Sequence, residues 1–237
     1  MAKQHLKRLV MPKTWSLDRK EGTFVLRPYP AGVGMQLSMP LGVIVRDVLK
    51  LGRSMREVLY VLKEKEILVD GKRRKDPKFP VGLLDVISIS TLQQHFRLVL
   101  DIQGMLSIIA IGATEAKQKI CKIVSKQYLK KGKLQIGLMD GTCFLADGKQ
   151  QYRVGDSLLL TVPELKVQHH IPLAKNSLVY LIGGKHPGVI GEVEEIAGDK
   201  IRCKVNKQVF QTERKFSVAV GTEKPLITIA GEKGTGR

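Results

Sequence analysis

The chain has 237 residues, with 40 Lys/Arg against 22 Asp/Glu and a formal charge of +18. Apolar residues reach 43% but aromatics only 5%, which favours several small β-rich cores over one large core. The net charge is about +5, +4, +6 and +3 over residues 1–40, 41–90, 91–175 and 176–237; a membrane-surface protein concentrates its charge on one helix or tail, whereas this spread suits a chain among phosphates.

Residues 1–40 read as a basic extension carrying Lys3, Lys7, Arg8, Lys13, Arg19, Lys20 and Arg27, broken by Pro12, Pro28, Pro30 and Pro40. Met1 to Val10 is polar and basic, so no signal peptide is expected. Trp15 is expected to anchor the arm on the body, with stacking on a base as the alternative. Such an arm is hard to order alone and is one that a polyanion would order.

In residues 41–91, Ile44, Val45, Val48 and Leu49 have helical spacing, with Arg46, Lys50 and Arg53 on the polar side. Ser54 and Glu57 form a capping box, and Met55, Val58, Leu59 and Leu62 are the expected core stripe of the helix that follows. Arg56, Tyr60 and Lys63 line its other face. Residues 67–69 read as a strand, Asp70-Gly71 as a two-residue hairpin turn, and Lys72, Arg73, Arg74 and Lys75 follow at once. Residues 86–89 read as another strand. A helix pair plus hairpin with cations on both parts predicts phosphate contact.

Residues 92–174 alternate like strands: Phe96, Leu98 and Leu100 share one face, and Leu134, Ile136 and Leu138 another. An Asp140-Gly141 turn, a short helical turn at residues 114–116 and a buried strand at 158–162 complete a barrel or sandwich pattern. The most apolar stretch, residues 105–113, is about half of the roughly 20 residues that a helical membrane span requires. Lys130 and Lys131 beside Gly132 are candidate secondary phosphate contacts.

Residues 175–214 form another β unit. Its loop Gly183-Gly184-Lys185-His186-Pro187-Gly188 offers backbone for close approach and the cations Lys185 and His186, and Gly191 lies in the next strand. Residues 215–237 read as one further strand, containing Phe216, Val218 and Val220, followed by a flexible glycine-containing tail.

Cys121, Cys143 and Cys203 are widely spaced and form no CxxC pair; they are expected to be reduced core thiols of a cytoplasmic protein. No Walker loop, HExxH or serine-nucleophile elbow occurs. Adjacent His169 and His170 would point to opposite faces of a strand, so no metal is expected there. No cofactor, small-molecule substrate or membrane partner is expected.

Two units resemble known families. The phrase VRDVLKLGRSMREVLYVLKEKEILVDGKRR resembles the small RNA-binding module of bacterial small-subunit ribosomal protein four, which also occurs on pseudouridine synthases and some aminoacyl-tRNA synthetases. Residues 176–205, with GGKHPG before GVIGEV, look like a KOW motif, in which Gly191 takes the place of the central glycine. HLKRLVMPKTW, FPVGLLDVISI and GGKHPGVIGEV in this order resemble the archaeal and eukaryotic small-subunit ribosomal protein four of the e-type. The resemblance implies a multi-domain α+β chain: an N-terminal extension (1–40), the helix-pair and hairpin module (41–91), a central β domain (92–174), a KOW-type SH3-like β-barrel (175–214) and a strand with tail (215–237). The chain ends soon after Gly231, so an archaeal-type protein is expected.

The function this implies is a structural constituent of the small ribosomal subunit, with ribosomal RNA and neighbouring ribosomal proteins as partners. A pseudouridine synthase is the enzymatic alternative. Its catalytic aspartate sits in a GRLD-like strand, and Arg97-Leu98-Val99-Leu100-Asp101 lacks the glycine and the spacing. Asp101 is therefore expected to be a turn residue before Gly104. A free RNA chaperone or elongation-type factor is the second alternative.

The expected RNA-contacting residues are Lys3, Lys7, Arg8, Lys13, Arg46, Lys50, Arg53, Arg56, Lys63, Lys72, Arg73, Arg74, Lys75, Lys130, Lys131, Lys185 and His186. Gly71, Gly184, Gly188 and Gly191 are the expected structural loop glycines.

Overall fold

A computed structural model of the chain describes residues 5–130, 133–146, 151–205 and 208–229. Lys3, Lys131, Gly132 and the tail glycines Gly231, Gly234 and Gly236 lie outside the described residues. The fold is mostly β with few helices, and it divides into two compact units. The first comprises the described residues up to Val99 together with Met105–Ala116. The second comprises Leu100–Gly104 and the described residues from Lys117 on.

The first unit opens with a short pair, β1 (Leu6–Lys7) and β2 (Phe24–Val25). Strand β3 (Ser38–Pro40) leads into α1 (Leu41–Val43), which widens at once into a π-helical stretch, Ile44–Val48. Helix α2 (Met55–Glu64) follows. Then come β4 (Ile67–Val69), β5 (Lys72–Arg73), β6 (Pro80–Gly82), β7 (Val86–Ile89), β8 (Gln94–Leu100) and β9 (Leu106–Ile111). Strand β6 pairs with β3, and the others form a sheet in the order β5-β4-β7-β8-β9. The expected boundary after residue 91 thus falls inside this sheet, because β8 and β9 complete it.

Ser54 starts α2 as expected: its hydroxyl accepts the Glu57 N–H at 3.3 Å. The Glu57 carboxylate reaches back to the N–H of Arg53 at 2.9 Å, one residue before the serine. That N–H and the Ser54 hydroxyl hold the Glu57 carboxyl below its usual range. The core stripe is rotated from the expected one. Val58, Val61 and Leu62 are buried, whereas Leu59 is exposed, since residues 58, 61 and 62 lie closest together on the face turned to the core.

The N-terminal segment is not a free extension. Trp15 is buried and donates its indole N–H to the Ser38 carbonyl at 2.8 Å. A parallel bridge joins Trp15 to Leu106, at the start of β9, and Met11 and Val25 are also buried. Burying one tryptophan removes about 150–250 Å² from water, enough to hold a proline-broken segment that has little regular structure of its own.

The second unit holds two antiparallel five-stranded sheets. In the first, β10 (Gln118–Tyr128), β11 (Leu134–Leu138), β12 (Cys143–Ala146), β13 (Ser157–Thr161) and β14 (Lys166–Ile171) are ordered β12-β11-β10-β13-β14. Its core gathers Cys121, Ile123, Leu134, Ile136, Leu138, Tyr152, Leu158 and Leu160. In the second, β15 (Leu178–Leu181), β16 (Ile190–Ala197), β17 (Lys200–Val205), β18 (Gln208–Glu213) and β19 (Ser217–Gly221) are ordered β18-β17-β16-β15-β19. Val179, Val193, Ile201, Cys203, Val218 and Val220 are buried there. The three thiols are free, but Cys143 is exposed on the edge strand β12, so only Cys121 and Cys203 are core thiols.

Two lysines of β10 point inward. Lys119 pairs with Asp140 at 3.0 Å, both side chains being nearly inaccessible. Lys122 donates to the carbonyls of Arg214, Lys215 and Ser217 at 2.6, 3.1 and 2.7 Å, tying the first sheet to the turn before β19. Burial, with the nearby charge of Arg214, pushes the Lys122 ammonium down to about 8. The three carbonyls replace the water it has lost.

Candidate nucleic-acid interface

On α2, Arg56, Tyr60 and Lys63 follow at spacings of four and three residues, so they share one helix face. All three are exposed, Tyr60 to 67%. The adjoining hairpin turns on Asp70 (φ 49) and Gly71 (φ 71), the doubly left-handed pattern of the tightest hairpin turn. Asp70 also accepts the Val86 N–H at 2.9 Å, which fixes the turn against β7. Lys72, Arg73 and Lys75 are exposed. The Arg73 guanidinium donates to the Lys63 carbonyl at 2.7 Å and lies 3.6 Å from Glu66, tethering the hairpin to the end of α2. Helix face and hairpin therefore make one basic surface, with an exposed aromatic ring among its cations.

Other expected contacts sort by local partners. Lys7, Lys13, Lys50, Arg53, Lys130, Lys185 and His186 are exposed. Arg8 is buried, pairs with Glu21 and donates to the Asp18 carbonyl, so it belongs to the internal packing of the N-terminal segment and not to a phosphate surface. Arg46 is half-buried and makes two bonds of 2.9 Å to its neighbour Asp47, which cancels its charge and raises its pKa. Arg74 is half-buried with its guanidinium 4.2 Å from the Phe79 ring centre. The run of four cations is thus split by its environment: Lys72 and Lys75 face solvent, Arg73 is part-committed, and Arg74 packs.

In the second unit, Gly184 and Gly188 have φ of +87 and +79, while Gly191 is required for space. A Cβ at residue 191 would lie 2.8 Å from Val205 Cγ2 and 3.2 Å from the Lys204 carbonyl oxygen. Gly191→Val is therefore expected to destabilise the second unit by roughly 1–3 kcal/mol. The measurement is a thermal melt by circular dichroism; an unchanged melt with lost RNA binding would contradict it. His186 lies 4.7 Å from Phe210, ring centre to ring centre. Phe210 was invisible as a site residue in the sequence, because only the pairing of β17 with β18 brings it near a loop more than twenty residues earlier.

Among the described residues the enzymatic alternative finds no centre. Asp101 closes a turn, its carbonyl accepting the Gly104 N–H at 2.7 Å and its carboxylate the Ile102 N–H. His170 is 2.7 Å from the buried Asp156 carboxylate, and His169 is exposed on the same strand. Among the described residues no group of three or more His, Cys, Asp or Glu could hold a metal ion, and no helix is long and apolar enough to cross a membrane.

Comparison with known proteins gives concordant matches. Residues 92–167 match the ribosomal family S4e, and residues 2–30 match the RS4NT (NUC023) domain. The small ribosomal subunit protein eS4 of Methanocella arvoryzae is 36% identical over 233 residues, covering 96% of this chain and 98% of that protein. The protein of the same name from Methanopyrus kandleri is 38% identical over 252 residues, covering 98% and 97%. The crystal structure of the 30S ribosomal protein S4e from Thermoplasma acidophilum superposes with a TM-score of 0.70 at 28% identity, covering 82% of this chain and 99% of that one. With identity above one third sustained over nearly the full length of both chains, this protein belongs to the ribosomal family S4e.

Proposed function

We propose that the chain is a structural constituent of the small ribosomal subunit that binds ribosomal RNA through phosphate and shape contacts. It works as part of the particle, in the cytoplasm, and is not an enzyme. Full-length relatedness to small ribosomal subunit proteins carries the reading. The basic face of α2 and its hairpin supports the mode of binding.

A-form RNA hides its bases in a deep groove, so Arg56, Lys63, Lys72 and Lys75 are assigned to phosphates, and Tyr60 to a sugar or an exposed base. Lys7, Lys13, Lys50, Arg53 and Lys130 add peripheral phosphate contacts. We read the α2–hairpin segment as the bacterial-type RNA-binding module, and the β15–β19 sheet as the KOW-type barrel with Lys185 and His186 in its loop. The alternating strands and the loop glycines support this reading. Neighbouring ribosomal proteins are the remaining partners.

Sedimentation of a native cell lysate tests the assignment. The protein is expected to run with small subunits at low salt and to be released only at high salt. Recovery of the whole pool free of subunits would overturn it.

A further inference from the structure

The loop after β15 and strand β18 flank an open cavity of about 470 Å³, lined by residues of the second unit. That volume falls within the roughly 300–1,000 Å³ of pockets that take small organic ligands. Gly183 and Gly184 line one part, and Phe210 and Phe216 supply two half-exposed rings. Gly183 is there for close approach: a Cβ on it would lie 2.5 Å from Phe216 Cδ1, so the phenyl ring rests on bare backbone. Lys185 and Lys200 line the same cavity and are exposed.

Flat apolar rings beside ammonium groups match the two halves of a nucleotide, a base with a π-face and a phosphate with negative charge. A proline-rich peptide would use the rings but would bring no anion for the lysines. We propose that this cavity takes one unstacked nucleotide of ribosomal RNA, its base against Phe210 and its phosphate against Lys185 and Lys200. The inference rests on the ribosomal reading above and adds a base-binding site to a surface otherwise assigned to phosphates. Glu213 also lines the cavity, one of its carboxylate oxygens, Oε2, lying 2.6 Å from the Lys215 ammonium. A carboxylate only accepts hydrogen bonds, and of the four bases guanine alone offers two adjacent N–H donors on its pairing edge, so guanine suits the wall best.

The test is a titration of the ¹⁵N-labelled full chain with GMP, AMP and ribose 5-phosphate, read by NMR. GMP is expected to shift the amide signals of Gly183, Gly184 and Lys185 saturably and at lower concentration than AMP, and ribose 5-phosphate to shift them only at far higher concentration. In parallel, Phe210→Ser is expected to lower affinity for small-subunit ribosomal RNA about tenfold, the size of one lost stacked base, without changing the salt dependence. Phe210→Tyr is expected to keep both the GMP response and the affinity, which separates stacking from folding.

Equal shifts with ribose 5-phosphate and GMP would reduce the cavity to an anion site and overturn the proposal. So would a proline-rich peptide moving these amides where no nucleotide does, or unchanged RNA affinity in Phe210→Ser. A missing GMP response with intact RNA binding sinks the cavity alone; a wild-type chain that binds no ribosomal RNA sinks the ribosomal reading with it.

Discussion

Replacing Arg56, Lys63, Lys72 and Lys75 together with glutamine is expected to weaken binding to small-subunit ribosomal RNA by roughly 10³-fold at 0.1 M salt. Each cation that neutralises a phosphate releases a counterion, so each lost contact flattens the plot of log affinity against log salt by about 0.7–0.9. Four lost contacts flatten it by about 3, which at tenfold below molar salt is the same three decades. The four are chosen by environment and not by position in a basic run: all are exposed, on a helix face and hairpin joined by the Arg73–Lys63 bond. Arg46→Gln is the matched control. Its guanidinium is already bound twice by Asp47, so its removal is expected to change the slope by less than one contact. Filter binding over a salt series measures both variants. An unchanged slope in the fourfold variant would move the main RNA contact to another surface.

Lys119→Met is expected to destabilise the second unit by about 3–5 kcal/mol, because it strands a buried carboxylate. Burial pushes the Asp140 carboxyl up; the charge of Lys119 and the Thr142 hydroxyl and N–H more than reverse this and hold it below the usual range. The sign follows from linkage. In the wild type the folded value lies below the unfolded value of about 3.9, so the pair's contribution is present above about pH 4 and is lost as pH falls through the folded value. Without Lys119 burial prevails, the folded value rises above the unfolded one, and the variant loses stability as pH climbs past about 4. The gap between wild type and variant is therefore expected to widen from pH 3.5 to 7 in urea unfolding. Lys119→Met/Asp140→Asn should recover much of the loss, since no buried charge is left and the amide oxygen still accepts from the Thr142 N–H and hydroxyl. A constant gap across that range would show that Asp140 is solvated.

Local signals in the sequence were sufficient for caps and turns, though not for the exact buried stripe of α2. The Ser54 cap and the Asp70-Gly71 turn depend on atoms a few residues apart, and both form as expected. The turn at Asp101 and the inward face of Leu134, Ile136 and Leu138 follow from the same short-range rules. Long-range pairing was not legible. Strand β10 carries Lys119 and Lys122, for which no local rule names a partner: Asp140 and the carbonyls of Arg214, Lys215 and Ser217 are 21 to 95 residues away. Arg97 is likewise fully buried and ion-paired with Glu115 across 18 residues.

Length, the +18 charge and its even spread, the capped helix and the hairpin were settled by the sequence itself, because composition and short-range stereochemistry need no partner elsewhere in the chain. Which cations are available to RNA was decided only by tertiary structure. Arg8, Arg46 and Arg74 look like their neighbours in the sequence, but folding delivers Glu21 to the first and Phe79 to the third, and fixes the second on the adjacent Asp47. A cation that is already paired, or half-buried on an aromatic ring, has little field left for a phosphate. Among the exposed ones, tertiary structure also set Phe210 and Phe216 beside the Lys185 loop, since strand pairing brings together residues that no local rule connects.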